Sequence, residues 1–113
     1  TNNGGDPDTS DRAFQIGRDG STQISAGIGS NSDGLTWNPG YTSDNWAAAV
    51  GEAAGQQWVV EIEINAAAEM GALSNLFGMM IQVLYTGETA VWPEGASTSS
   101  ANTWQDVQNV ACE

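Results

Sequence analysis

The chain reads as an all-β domain, an antiparallel β-sandwich of short strands with one short helical turn. Three features lead there. The run Gln57–Ile64 places Trp58, Val60, Ile62 and Ile64 at alternate positions, with Glu61 and Glu63 between them. Successive strand side chains point to opposite faces, so this run puts one face in a core and the other in water. Asp19-Gly20 sits between two alternating runs and signals a hairpin. Helix-like patterning is confined to one short alanine-rich segment after Ile64. At 113 residues the chain is a single domain, residues 1–113, with enough length to bury a small core.

The elements follow in order. Residues 1–11 are polar, with Gly4-Gly5 and three aspartates, and read as a loop. Ala13–Arg18 is a strand with Phe14 and Ile16 on one face. Ser21–Ile28 returns, with Ile24, Ala26 and Ile28 inward. Gly29–Asp44 is rich in Gly, Ser, Asn, Asp and Pro and reads as one long surface loop carrying Leu35, Trp37 and Tyr41. Trp46–Val50 alternates and forms a second hairpin with the Trp58 strand. Asn65 caps a helical turn reaching to Leu73, with Gly71 near its end. Gly78–Tyr85 is one strand, with Met79, Ile81, Val83 and Tyr85 on one side, ended by Thr86-Gly87. Val91-Trp92-Pro93 opens a loop rich in Ser, Thr and Ala, and Thr103–Val110 is a last strand. Six or seven strands result.

Charge narrows the function. Fourteen acidic residues face only Arg12 and Arg18, giving a net charge of −12. Such a surface repels phosphate backbones and anionic lipid, so nucleic acid is not an expected partner. No apolar run approaches membrane-spanning length, so membrane insertion is not expected. Without histidine there is no His-activated nucleophile and no His metal ligand. An acidic chain suits an exported protein and an oxygen-ligating cation, although solubility alone accounts for such charge. The sequence starts at Thr1, which is expected of a processed product or excised piece. Cys112 is a lone cysteine, read either as a buried thiol or as a half-cystine whose partner lies on a missing segment or another chain.

The run Trp58-x-Val60-Glu61-Ile62-x-Ile64, a short helix, Phe77-Gly78-Met79-x-Ile81, Trp92 and Asn102-Thr103-Trp104 together resemble carbohydrate-binding module family 9-like domains. The stretch Asp11–Gly20 resembles the hairpin that precedes this pattern in the family. The likeness spans Asp6–Val110 and rests on order and spacing rather than on one motif. It implies a jelly-roll β-sandwich that stacks sugars between aromatic rings and carries structural calcium. Asn65 replaces the family's proline after the strand, and Gln105 its closing glycine. The family's strands before the hairpin have no counterpart here, so the chain is expected to be either an unusually short domain or the C-terminal portion, with another chain supplying strands. Haem-binding relatives exist; without histidine, Met79 or Met80 would have to ligate.

The expected sugar-binding residues are Trp92, Trp37, Tyr41, Asn102 and Glu94, with Ser97–Ser100, Asn31, Asp33 and Asn38 nearby in sequence. Indole faces stack on pyranose rings while amides and carboxylates bind hydroxyls. The alternative is that these aromatics anchor their loops. Trp46, Trp58 and Trp104 are read as core. Asp6, Asp8 and Asp11 are the candidate calcium ligands, against a plain solvated acidic loop. Glu61 and Glu63 are surface charges rather than a glycosidase pair, so no catalytic residue is expected. Two functions compete. One is a non-catalytic, extracellular or cell-surface carbohydrate-binding module. The other is a structural or adhesive subunit of an extracellular filament or surface layer, built by strand pairing between chains.

Overall fold

The computed structural model describes residues 6–29, 36–53, 55, 57–71, 73 and 75–108. Strands dominate it, as an all-β chain requires. The elements are β1 (Arg12–Ile16), β2 (Thr22–Gly27), β3 (Trp37–Asn38), β4 (Trp46–Ala53), β5 (Gln57–Ile64), α1 (Ala66–Met70), β6 (Leu76–Met79), β7 (Ile81–Tyr85), β8 (Glu88–Trp92) and β9 (Gln105–Gln108). All pairings are antiparallel. Among the described residues the strands form four small sheets, ordered β1-β2-β3, β4-β5, β6-β9 and β7-β8. Among the described residues, no helix is long and apolar enough to cross a membrane.

The first hairpin closes with three loop residues rather than the two that Asp19-Gly20 suggests. Gly20 N–H donates to Gly17 O, Gly17 N–H donates to Ser21 O, and Gly20 has φ +87°. That is a turn followed by a left-handed residue, a standard three-residue hairpin closure. Register puts Phe14 opposite Ile24, and Ile24 and Ala26 are buried. Over the end of β2 lies the segment before β1. Gly29 N–H donates to Pro7 O and Gly27 N–H to Asp11 O, and Pro7 is fully buried. A Cβ on Gly27 would stand 2.1 Å from the Asp8 carbonyl oxygen, so only glycine permits this approach.

The β4–β5 hairpin has the register its alternation predicts. Trp46, Ala48 and Val50 face Ile64, Ile62 and Val60, while Ala47 and Ala49 face Glu63 and Glu61. The first set makes an apolar face, and its Trp46 meets Phe14 of β1 with ring centroids 5.0 Å apart at 60°. Trp58, Val60 and Ile64 are half-buried where burial in a core was expected, while Glu61 and Glu63 are exposed, as expected. Ile62 departs from expectation at 46% exposed, because its cross-strand neighbour is the small Ala48. Asn65 caps α1 by accepting from Ala68 N–H, and Gly71 ends it at φ +83°.

Four other regions differ from the sequence reading. The long loop contains β3, a two-residue strand pairing Trp37 with Gly27 and Asn38 with Ala26. The expected single strand Gly78–Tyr85 divides at Met80, because β6 pairs with β9 whereas β7 pairs with β8. Trp92 ends β8 rather than lying on a loop, and Trp104 precedes β9 rather than lying within it. Among the described residues the last strand is Gln105–Gln108, entered from a 3-10 turn at Ala101–Thr103, and the expected extension to Val110 lies outside the described residues.

Candidate functional site

Trp92 is 46% exposed at the end of β8. Across the ladder it pairs with Ile81; Ala90 pairs with Val83 and Glu88 with Tyr85. Residues directly opposite share a face. One side of the β7–β8 ribbon therefore carries Trp92, Ile81, Val83 and Tyr85, exposed by 46, 47, 40 and 53%. Ile81 and Tyr85 are four positions apart, so two aromatic rings bound this side about 13 Å apart along the strands. Tyr85 was readable as a strand residue sharing a side with Ile81 and Val83. Its partnership with Trp92 was not, because it depends on the β7–β8 pairing.

The loop after Trp92 is heavily hydrogen-bonded. Ala96 N–H donates to Pro93 O and Ser100 N–H to Ser97 O. Ser97 N–H donates to Thr103 Oγ1 at 2.8 Å, and Thr103 Oγ1 donates to Ser100 O at 2.6 Å. Two indoles brace it from outside. Trp37 Nε1 donates to Thr98 O at 2.9 Å and Trp104 Nε1 to Ser97 O at 2.8 Å. Their rings are stacked, 6.2 Å between centroids and 13° between planes. Trp37 is thus committed through its N–H and one face to holding the loop. Glu94 and Asn102 are exposed on either side of this loop, available to a ligand in water.

Tyr41 belongs to a different cluster, centred on Glu69. The Glu69 side chain is fully buried although α1 is a single short helix. Its Oε1 accepts from Arg12 Nε at 2.5 Å and from the Tyr41 hydroxyl at 2.5 Å. Its Oε2 accepts from the Ser43 hydroxyl and from Asn45 Nδ2 at 3.3 Å. Arg12 also donates to the carbonyls of Glu69, Thr9 and Asp11 and lies 4.7 Å from the centroid of the Tyr41 ring. Burial alone would raise the Glu69 carboxyl. The donors from Ser43, Tyr41, Arg12 and Asn45 outweigh it and bring the pKa down to about 2. This cluster fastens the segment before β1, the chain after β3 and α1 to one another. It also holds Tyr41 and Ser43 in fixed positions.

Asp8 and Asp11 shape their own turn. Asp8 Oδ1 accepts from Ser10 N–H at 2.8 Å and from the Ser10 hydroxyl, which holds its carboxyl below the usual range. Asp11 Oδ2 accepts from Asp8 N–H at 2.8 Å. Asp6 is exposed, and among the described residues no three acidic or cysteine side chains converge as a metal site. Glu61 and Glu63 are exposed beside Ala49 and Ala47. Asn31, Asp33, Leu35 and Cys112 lie outside the described residues.

Fold and site together define an all-β chain with an open aromatic-bounded strand face beside a braced, hydroxyl-rich loop. Compared with known proteins, the chain matches no family model, no curated protein and no solved structure.

Proposed function

We propose that this is a non-catalytic carbohydrate-binding domain of β-sandwich, jelly-roll type, acting outside the cell, in which Trp92 is the stacking platform. The observation that carries the reading is the exposed Trp92 indole beside a loop held in place by the Trp37–Trp104 stack. A pyranose laid on Trp92 would find Glu94, Asn102 and the hydroxyls of Ser97–Ser100 as partners within a preorganised loop. Tyr85, on the same side of the ribbon, would meet a ring further along an extended glycan. Affinity is expected to be weak, since each hydroxyl bond replaces one to water and nets about 0.5–1.5 kcal/mol. On a glycan array the chain should retain a set of neutral glycans that Trp92→Ala does not, while both melt at nearly the same temperature. A variant that loses stability instead would make Trp92 a structural anchor and end this reading.

A second reading has its own support. Ile81 and Val83 separate the two aromatics, and Leu84 on the reverse of the ribbon is 71% exposed. A two-stranded ribbon is marginal alone, and an aliphatic face suits protein packing better than a sugar. On this reading another chain pairs with or covers β7–β8, as in a subunit of a filament or surface layer. Concentration-dependent assembly in size exclusion or electron microscopy supports it. A monomer with a cooperative melt removes it.

A further inference from the structure

A second place on the surface carries the chemistry of a sugar site. Two adjoining depressions, about 260 and 200 Å³, lie between β2 and the chain leading into β4, and both are lined by Thr22, Ser43 and Trp46. Each is smaller than the roughly 300–1,000 Å³ of typical small-molecule sites, and the two share three lining residues. Tyr41 lines the larger depression, with its hydroxyl fixed by Glu69 and its ring held beside Arg12. Trp46 contributes to both, backed by Phe14.

The polar lining is unspent. Thr22, Gln23, Thr42 and Asp44 are exposed at the groove, and among the described residues their side chains make no hydrogen bond. They offer two hydroxyls, an amide and a carboxylate beside two aromatic rings. No cation lines either depression, so an anion has nothing to meet it there. An apolar ligand would strip water from the four polar groups and return nothing. A neutral polyhydroxylated ring satisfies both demands, with an apolar face for the aromatics and hydroxyls for the rim.

We propose that the groove between Tyr41 and Trp46 is a second carbohydrate subsite, taking a neutral pyranose and separate from the Trp92 face. It rests on the carbohydrate reading above but not on Trp92 itself. The test is an amide-shift titration of the ¹⁵N-labelled chain with cellobiose and, separately, maltose. Saturable shifts should occur at residues 22–24 and 41–46, and they should persist in Trp92→Ala. The double variant Gln23→Ala/Thr42→Ala changes only exposed side chains and should melt like the parent. It should weaken those shifts about tenfold, the loss of two hydrogen bonds. Shifts confined to residues 85–102, or a double variant that binds like the parent, would overturn the second subsite while sparing the Trp92 reading. Shifts at the groove alone would do the reverse, and no shift at either place overturns both.

Discussion

Replacing Glu69 with glutamine is expected to destabilise the chain by about 3–5 kcal/mol at neutral pH, the cost of leaving a buried partner charge uncompensated. Glutamine keeps the shape but exchanges one acceptor oxygen for an NH₂ donor. If that group takes the Oε1 place it meets Arg12 Nε and the Tyr41 hydroxyl; at Oε2 it meets the Ser43 hydroxyl and Asn45 Nδ2. The hydroxyls can turn, but Arg12 and Asn45 cannot stop donating, so either placement sets donor against donor. The Arg12 side chain, only 9% exposed, keeps its charge without its counter-ion. Acid gives an independent reading of the same site. The folded carboxyl sits near 2 instead of the usual 4.5. Its contribution is therefore complete above pH 4.5 and lost as pH falls through about 2. That contribution is on the order of 2–3 kcal/mol after allowance for screening by nearby water. Urea unfolding followed by tryptophan fluorescence at pH 7 and at pH 3 measures both. The parent should weaken on acidification by more than Glu69→Gln does. A variant within about 1 kcal/mol of the parent at pH 7, with the same acid response, would refute the reasoning.

Other outcomes follow from the same geometry. Gly27→Ala should cost roughly 1–3 kcal/mol by forcing the Asp8 carbonyl away from β2, seen as a lower urea midpoint. Trp37→Ala should free the 97–100 loop, speeding hydrogen exchange at its amides while leaving the exchange of β4–β5 unchanged. Calcium, if Asp6, Asp8 and Asp11 share an ion, should raise the melting temperature and chelator should lower it. No thermal shift at millimolar calcium leaves those carboxylates as turn-forming groups only.

Local pattern reveals some of this structure and long-range pairing hides the rest. Alternation at Trp58–Ile64 and Trp46–Val50 fixes the β4–β5 register, since one slipped residue would bury Glu61 and Glu63. The Asn65 cap and Gly71 stop frame α1 in the same local way. The division at Met80 is invisible beforehand, because the apolar pattern runs on unbroken while the two halves pair with different strands. A strand as short as Trp37–Asn38 has no period to read. Trp92 was recognisable as a candidate from its place before Pro93, and Tyr85 becomes its companion only through the ribbon. Glu69 looks like an ordinary solvated residue in Ala-Ala-Ala-Glu-Met. Its partner Arg12 lies 57 positions away, so no local pattern marks the pair.

The central claim is that the Trp92 ring binds carbohydrate, and fluorine NMR of the chain labelled with 5-fluorotryptophan tests it most directly. The five tryptophans give separate resonances, and Trp92→Ala assigns the one that matters. On addition of a glycan retained by the array, the Trp92 resonance should move and saturate while that of Trp58, on the β4–β5 sheet, stays in place. A Trp92 resonance that stays still with every retained glycan, or that moves only with protein concentration, would contradict the account and leave the ribbon as a contact between chains.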